Sequence, residues 1–394
     1  MKPVRIMLVA GEASGDALGA ALARGLRQRL GDEGVRFIGV GGERMAAEGV
    51  AGDVDISGLS ILGVFDALAA YPRVLRAAGK AAALAARERP DAAVMIDSWG
   101  FTLRVARRLA KLEPAPLLIK YVAPQVWATR PGRARTLAGA VDHVLSIHRF
   151  DAPYFDQHGL PVTFVGNPAA ARDFSMADPK RLRSAIGADA LDPILLVLPG
   201  SRPSEIRRLM GPFEAAVERL CAQRPKLRLV IAAAETVAPM VKAHAAGWSL
   251  PVHVVEGEQA KLDAMCAASV AMACSGTVTT ELAVAGCPMV VAYRLGPMTY
   301  LVARALIRTP YITLLNVAAR TPVVTELVQG ACSGAALARE VGALLDDRDL
   351  RERQVIAQNA AVEVMRGGID DPSAAAAEAV ISLLRAGGKL EAAA

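Results

Sequence analysis

The chain has 394 residues, of which 53% are apolar and 21% charged; it can bury a sizeable core and divide into about two or three domains, so disorder over most of its length is excluded. Its 45 basic and 39 acidic residues leave a formal charge of +6, a mild excess that suits an anionic ligand or surface. Aromatics are only 4% of the chain, and the basic residues are scattered rather than interleaved with them, so nucleic acid is set aside as a partner.

From Met1-Lys2-Pro3 the chain runs directly into an apolar stretch, leaving no room for a signal peptide. No uninterrupted apolar run reaches the ~18 residues that would span a bilayer. A cytoplasmic protein is expected, bound at most to a membrane surface. Short β-branched runs at 4–10, 36–40, 92–96, 117–122, 143–147 and 163–165 predict strands, and the stretches 17–30, 65–87 and 101–112 predict helices between them. This alternation predicts a Rossmann-like parallel sheet with helices on both faces over residues 1–166. Residues 167–179 carry two prolines and no periodicity, the pattern of an inter-domain linker. A second alternation over 180–345 has its strands at 194–198, 227–232, 252–255, 270–274 and 289–293. The remainder, 346–394, reads as helices and an Ala-rich tail. The expected class is therefore α/β, two doubly wound domains facing a central cleft, with the carboxyl ends of both sheets supplying the site.

The sharpest local signal is the apolar strand ending at Cys274, followed by Ser275-Gly276-Thr277 and a helix. Unpaired N–H groups and the positive end of the helix dipole meet at such a turn, which suits a phosphate. Thr279 adds a hydroxyl, and Glu281, one turn beyond Thr277, is placed to accept from a ribose diol. A plain capped helix explains the motif about as well. A second such turn, Pro199-Gly200-Ser201-Arg202, follows the strand 194–198; Arg202 puts a permanent cation at the strand end, suited to the charge on a departing diphosphate. In the first half, Gly11-Glu12-Ala13-Ser14-Gly15-Asp16 follows the first strand but does not give GxGxxG, and Asp16 equally reads as a helix cap. Asp97, placed directly after the strand 92–96, is the candidate base, with a helix cap as its alternative. The loop from Tyr121 to Pro131 concentrates two aromatics and two prolines, including Gln125 and Trp127, either to shape a pocket or to pack beneath itself. The five cysteines form no CxxC pair and the five histidines have no metal-ligand spacing, so a zinc or covalent hydrolase mechanism is not expected.

Taken together, the segments from Ala10 to Asp16, Gly39-Val40-Gly41-Gly42 with Met45, Ile96-Asp97-Ser98, Tyr121 to Arg130 and Val165-Gly166 resemble the lipid-A-disaccharide synthases, inverting glycosyltransferases of the two-Rossmann GT-B class. The resemblance continues through Leu198 to Arg202, Glu205-Ile206, Cys274 to Glu281, and Asn316 with Glu326 and Gln329, so it spans nearly the whole chain in order. It implies transfer of a 2,3-diacylglucosamine unit from its UDP-linked donor to a lipid monosaccharide acceptor, 2,3-diacylglucosamine 1-phosphate, with no metal or other cofactor. It implies Asp97 as base for the acceptor 6-hydroxyl and Arg202 as partner of the leaving diphosphate. Gly200, Ser201, Ser275, Gly276, Thr277, Thr279, Glu281, Asn316, Glu326 and Gln329 would lie on the donor side, and Glu12, Ser14, Gly15, Asp16, Gln125 and Trp127 on the acceptor side. The sequence departs from the family's pattern at Trp99, Thr102, Thr129, Asn167 and Leu315. Lipid substrates also call for an apolar entrance, and Ile61, Leu62 and Phe65 beside Arg73 and Arg76 suit contact with the inner face of an anionic inner membrane; an ordinary core helix with a basic face is the alternative. A homodimer is compatible with this reading. Another UDP-sugar enzyme of the same fold, such as a UDP-N-acetylglucosamine 2-epimerase, and a non-catalytic nucleotide-sugar binder stay open as alternatives.

Overall fold

A strand as continuously apolar as Ile6-Met7-Leu8-Val9-Ala10 is stable only in a sheet covered on both faces, and all five residues have no exposed surface. They lie in a computed structural model that describes residues 3–50, 52 and 64–390, with backbone alone at 64–70 and 302. The chain divides into one unit of residues 1–168 and 368–394, and a second of 169–367.

Unit 1 runs β1 (Val4–Ala10), α1 (Ala13–Leu30), β2 (Val35–Val40), α2 (Glu43–Ala47), α3 (Val64–Glu88), β3 (Ala92–Ile96), α4 (Trp99–Leu109), β4 (Leu117–Tyr121), α5 (Gly132–Ala138), β5 (His143–Ser146), α6 (Ala152–Asp156) and β6 (Val162–Phe164). The strands are parallel in the order β2-β1-β3-β4-β5-β6. After β1 and β2 the chain crosses back to place β3 on the other side of β1, so the sheet reverses direction between β1 and β3. A crevice opens outside the carboxyl ends of the strands at such a reversal.

Unit 2 continues with α7 (Pro179–Ala185), β7 (Ile194–Leu198), α8 (Pro203–Gln223), β8 (Arg228–Ala233), α9 (Ala238–Ala245), β9 (His253–Glu256), α10 (Glu258–Ala267), β10 (Val270–Cys274), α11 (Thr277–Val284), β11 (Met289–Tyr293), α12 (Pro297–Leu306), α13 (Leu314–Ala319), β12 (Thr325–Val328), α14 (Gly334–Asp346) and α15 (Arg348–Arg366). Its sheet is also parallel, in the order β12-β11-β10-β7-β8-β9. Here the reversal falls between β7 and β10, the two strands that feed the glycine-bearing turns. The edge strand β12 was not anticipated: Thr325-Glu326-Leu327-Val328 is short and half polar, and only Leu327 of the four is buried.

The last helix, α16 (Pro372–Ala386), returns to unit 1. Asp371 caps it by accepting from the N–H groups of Ser373 and Ala374, both at 2.9 Å, and Pro372 fits its first turn. It buries Val380, Ile381 and Leu384 in the core on the α1 side of the sheet, each worth roughly 1.5–3 kcal/mol. Gly25 of α1 allows the close approach, because a Cβ there would lie 3.1 Å from Ala377. The expected C-terminal segment is thus shared, with α15 in unit 2 and α16 in unit 1. The stretch read as a linker is largely tied down in unit 2: Ala170 is in its core, Arg172 pairs with Glu258, and the Asp178 N–H donates to Asp263.

Candidate active site

In unit 1 the crevice between β1 and β3 is bridged by a hydrogen bond from Ser14 Oγ to Asp97 Oδ2, at 3.2 Å. Asp97 and Ser98 have φ of 48° and 38°, two consecutive non-glycine residues in the left-handed region. Such a conformation costs on the order of 1–3 kcal/mol per residue and persists where its surroundings impose it. Here the Asp97 N–H continues the ladder to Tyr121 O at 3.0 Å. The Asp97 carbonyl accepts from Thr102 Oγ1 at 2.9 Å and from the Lys120 ammonium, which also donates to Thr102 Oγ1 at 3.0 Å. Lys120 is the single charge in the strand Leu-Leu-Ile-Lys-Tyr and is 3% exposed. Burial lowers its pKa to about 8 against the opposing pull of Asp97.

Asp97, Lys120, Gln125, Thr129, Arg133 and His148 line a cavity of about 260 Å³. Trp99, Thr102 and Thr129, three of the departures from the family pattern, line this cavity or bond to Lys120. Trp127 does not line it. Its ring meets His148 and Phe150 edge-on, at 6.4 and 5.1 Å, and His148 stacks on Phe150, so the indole braces the loop from beneath. Below the rings Asp151 is buried, accepts from Ser146 Oγ, and has its pKa raised by burial to about 7. The Trp127 N–H draws that value down slightly, short of a full hydrogen bond. Burial lowers the His148 pKa to about 4, keeping the imidazole neutral.

Two of the residues expected on the acceptor side also have structural roles. Asp16 is buried and accepts from the N–H groups of Gly42, Arg44 and Met45 at 2.7, 3.1 and 3.1 Å, so it ties the turn after β2 and the start of α2 to α1. Gly15 is a packing position, since a Cβ would stand 3.3 Å from Ala10 and 3.4 Å from the Ile96 carbonyl. Glu12 precedes α1 at the mouth of the crevice.

In unit 2 the two turns at the reversal differ. After β7, the N–H groups of Ser201 and Arg202 both donate to Glu205 Oε2, at 3.0 and 3.2 Å, and Arg202 Nη1 reaches Glu205 Oε1 at 3.3 Å. The protein's own carboxylate thus fills the cradle where Gly200 and Ser201 were expected to receive a phosphate. Gly200, at φ 116°, is required for this, because a Cβ would lie 2.4 Å from Glu205 Oε2. Arg202 keeps over half of its side chain exposed. After β10, no side chain caps α11, and Gly276 and Thr277 are exposed. This end is therefore available to an anion. Ser275 Oγ and Thr279 Oγ1 do not add donors there; they donate to the Ile312 and Gly276 carbonyls at 3.0 and 2.8 Å. Glu281 pairs with Lys261 at 3.1 Å.

Asn316, Glu326 and Gln329 are tied to the surrounding framework by hydrogen bonds. Asn316 is buried, with Nδ2 donating to Val324 O and Glu326 Oε1 and Oδ1 accepting from the N–H groups of Val323 and Val324. Glu326 also accepts from both N–H and Oγ1 of Thr313 and from the N–H of Ile312. Gln329 exchanges bonds with the Leu295 backbone. They brace the wall beside α13; Asn316 has its amide fully engaged, whereas Glu326 Oε2 and Gln329 Nε2 each make one bond and keep further capacity. Among the described residues no group of three or more His, Cys, Asp or Glu side chains could hold a metal ion.

Of the membrane-contact residues, Ile61 and Leu62 lie outside the described residues, as does the side chain of Phe65. Arg73 and Arg76 are on the exposed face of α3, whose other face buries Val74, Ala77, Ala78 and Ala81. Among the described residues no helix is long and apolar enough to cross a membrane. Sequence reasoning missed the roles of Glu205, Lys120 and Arg133; a lone lysine in an otherwise apolar strand was the available signal for Lys120.

Two parallel, doubly wound units, each with its polar turns at the reversal of strand order, define the GT-B class of nucleotide-sugar enzymes. The same fold occurs in an S. aureus MnaA–UDP co-structure (TM-score 0.68, 14% identity, 99% of each chain covered). It also occurs in a UDP-GlcNAc 2-epimerase from Neisseria meningitidis bound to UDP-GlcNAc (TM-score 0.64, 12% identity, 96% of this chain and all of the other). The sequence is more specific. Residues 6–380 match the family described as Lipid-A-disaccharide synthetase, and the chain belongs to that family. It is 41% identical over 388 residues to the lipid-A-disaccharide synthase of Bradyrhizobium diazoefficiens, covering 97% of each chain. It is 39% identical over 385 residues to that of Rhodospirillum centenum, covering 98% of this chain and 96% of the other.

Proposed function

We propose that the protein is an inverting glycosyltransferase that joins UDP-2,3-diacylglucosamine to 2,3-diacylglucosamine 1-phosphate, giving lipid A disaccharide 1-phosphate and UDP. The observation that carries the reading is the family match across nearly the whole chain, joined to a lone carboxylate, Asp97, held in a left-handed conformation at the strand-order reversal of unit 1. Asp97 takes the proton from the acceptor 6-hydroxyl as that oxygen attacks the anomeric carbon of the donor. The bond from that carbon to the UDP oxygen breaks, the configuration inverts, and the leaving diphosphate carries the electron pair away. Arg202 and the uncapped N–H groups at the start of α11 offset its developing charge. Ser14 orients the Asp97 carboxylate, and Lys120 and Thr102 fix the backbone beneath it.

The exposed basic face of α3 supports work at the surface of an anionic membrane, the inner leaflet of the inner membrane in this reading. The decisive experiment supplies both substrates and measures UDP release, with UDP binding followed separately. Asp97→Ala is expected to abolish turnover and spare UDP binding, whereas Arg202→Ala weakens both. Near-normal turnover by Asp97→Ala would overturn the assignment of the base.

A further inference from the structure

The cavity beside Asp97 carries more positive charge than the protein neutralises. Lys120 and Arg133 contribute two cations to its wall, Asp97 contributes a single carboxylate, and the buried His148 adds no charge. Lys120 is committed to the Asp97 carbonyl and Thr102. Arg133 is not committed: its half-buried guanidinium lies over the Trp99 ring, 5.0 Å from the centroid, and among the described residues it has no hydrogen bond or ion pair. Burial, and then the nearby charge of Arg130, push its pKa down, so the charged form lacks a compensating anion. The cation–π contact with Trp99 holds the guanidinium at the cavity wall without using its N–H groups, which stay available to a bidentate acceptor.

Two further polar groups lining the cavity are unused. The side chains of Gln125 and Thr129 have no hydrogen-bond partner among the described residues. Both sit on the loop between β4 and α5, which is held by the buried Val126 and by left-handed residues at each end, Val122 at φ 69° and Arg130 at φ 51°. At about 260 Å³ the cavity is smaller than the ~300–1,000 Å³ of sites that enclose a whole drug-sized ligand, so it takes part of a substrate. It combines a carboxylate suited to a hydroxyl with a guanidinium, an amide and a hydroxyl suited to a phosphomonoester. A sugar phosphate presents both groups across one ring.

We propose that this cavity seats the phosphate of the acceptor, with Arg133 as its anchor and Gln125 and Thr129 as its hydrogen-bond donors. The proposal rests on the reading above that the acceptor is a sugar 1-phosphate. It makes Arg133 the residue through which the enzyme tells the phosphorylated acceptor from the free sugar lipid.

The test compares UDP release with 2,3-diacylglucosamine 1-phosphate and with 2,3-diacylglucosamine at saturating donor, for the wild type, Arg133→Ala and Arg133→Lys, with Thr129→Val as a variant that leaves the guanidinium in place. The wild type should prefer the phosphorylated acceptor by about ten- to a hundredfold in kcat/KM, the range for one hydrogen-bonded charge pair. Arg133→Ala should lose most of that preference through a raised acceptor KM with the donor KM unchanged, Arg133→Lys should keep part of it, and Thr129→Val should lower it severalfold. Inorganic phosphate should inhibit the wild type competitively against the acceptor and lose potency against Arg133→Ala. If Arg133→Ala fails to fold, the Thr129→Val preference and the phosphate competition decide. A preference undiminished in the Arg133 and Thr129 variants, or a wild type that uses both acceptors equally, overturns the proposal. A wild type that turns over neither acceptor instead refutes the proposed reaction.

Discussion

Replacing Lys120 by methionine should make the protein more stable at neutral pH and less active. At pH 7 the ammonium is charged and buried. A pKa lowered from 10.5 to about 8 corresponds to about 3 kcal/mol of unfavourable free energy for the charged form relative to water. Methionine of similar length removes that cost and leaves no carbonyl orphaned, because the Asp97 oxygen keeps its bond from Thr102 Oγ1 at 2.9 Å. A gain of about 2–3 kcal/mol is therefore expected at pH 7. The sign with pH follows from the depressed pKa: the unfolded state binds more protons between about 8 and 10.5, so wild-type stability recovers over that window and the variant's advantage narrows. Activity moves the other way. Without the ammonium, the strained Asp97-Ser98 backbone is held by Thr102 and the ladder bond to Tyr121, and kcat should fall about ten- to a hundredfold with little change in donor KM. Urea unfolding at pH 7 and pH 10, beside steady-state UDP release, measures both effects. A variant more than about 1 kcal/mol less stable than wild type at pH 7 would show that the lysine's bonds outweigh its desolvation.

Three other substitutions probe separate parts of the structure. Gly200→Ala puts a Cβ 2.4 Å from Glu205 Oε2 at φ 116°, so thermal unfolding should show a loss of about 1–3 kcal/mol, together with weaker UDP binding in calorimetry as the turn after β7 shifts. Asp151→Asn removes a carboxyl whose pKa is raised from 3.8 to about 7; the native state binds more protons over that window, so wild-type stability falls as pH rises through it and the variant's does not. Denaturation at pH 5, 6, 7 and 8 should show the variant's relative stability climbing by about 2–3 kcal/mol and levelling above pH 7, and a difference independent of pH would refute the buried charge. Reversing Arg73 and Arg76 together to glutamate should weaken binding to anionic liposomes in co-sedimentation by about thirtyfold or more, at about 1 kcal/mol for each lost cation, and binding unchanged by the reversal would exclude α3 as the contact face.

Much of the fold was legible because it is written in local chemistry. Continuous apolar runs such as Ile194 to Leu198 and Val270 to Cys274 have no stable place outside a doubly covered parallel sheet, and those strands formed at the expected residues. The carboxylate after β3 and the glycine turns after β7 and β10 were visible for the same reason, since a polar residue directly after an apolar strand falls at the sheet's carboxyl edge. What each polar residue does there depends on partners far away in sequence. Asp16 reads equally as a helix cap or a ligand contact, and no local pattern shows that the N–H groups of Gly42, Arg44 and Met45 converge on it or that Asn316 and Glu326 bond to one another. Lys120 looks like an interruption in a strand until strand pairing sets it beside Asp97, and Arg133 looks like one more surface arginine until Trp99 and an otherwise uncompensated cavity surround it. Sequence alone determined the elements and the edge of the sheet where chemistry occurs, because periodicity and burial are properties of short segments. Only the tertiary structure decided which polar atoms remain free to meet a substrate, because hydrogen-bond capacity is finite and long-range partners consume it first.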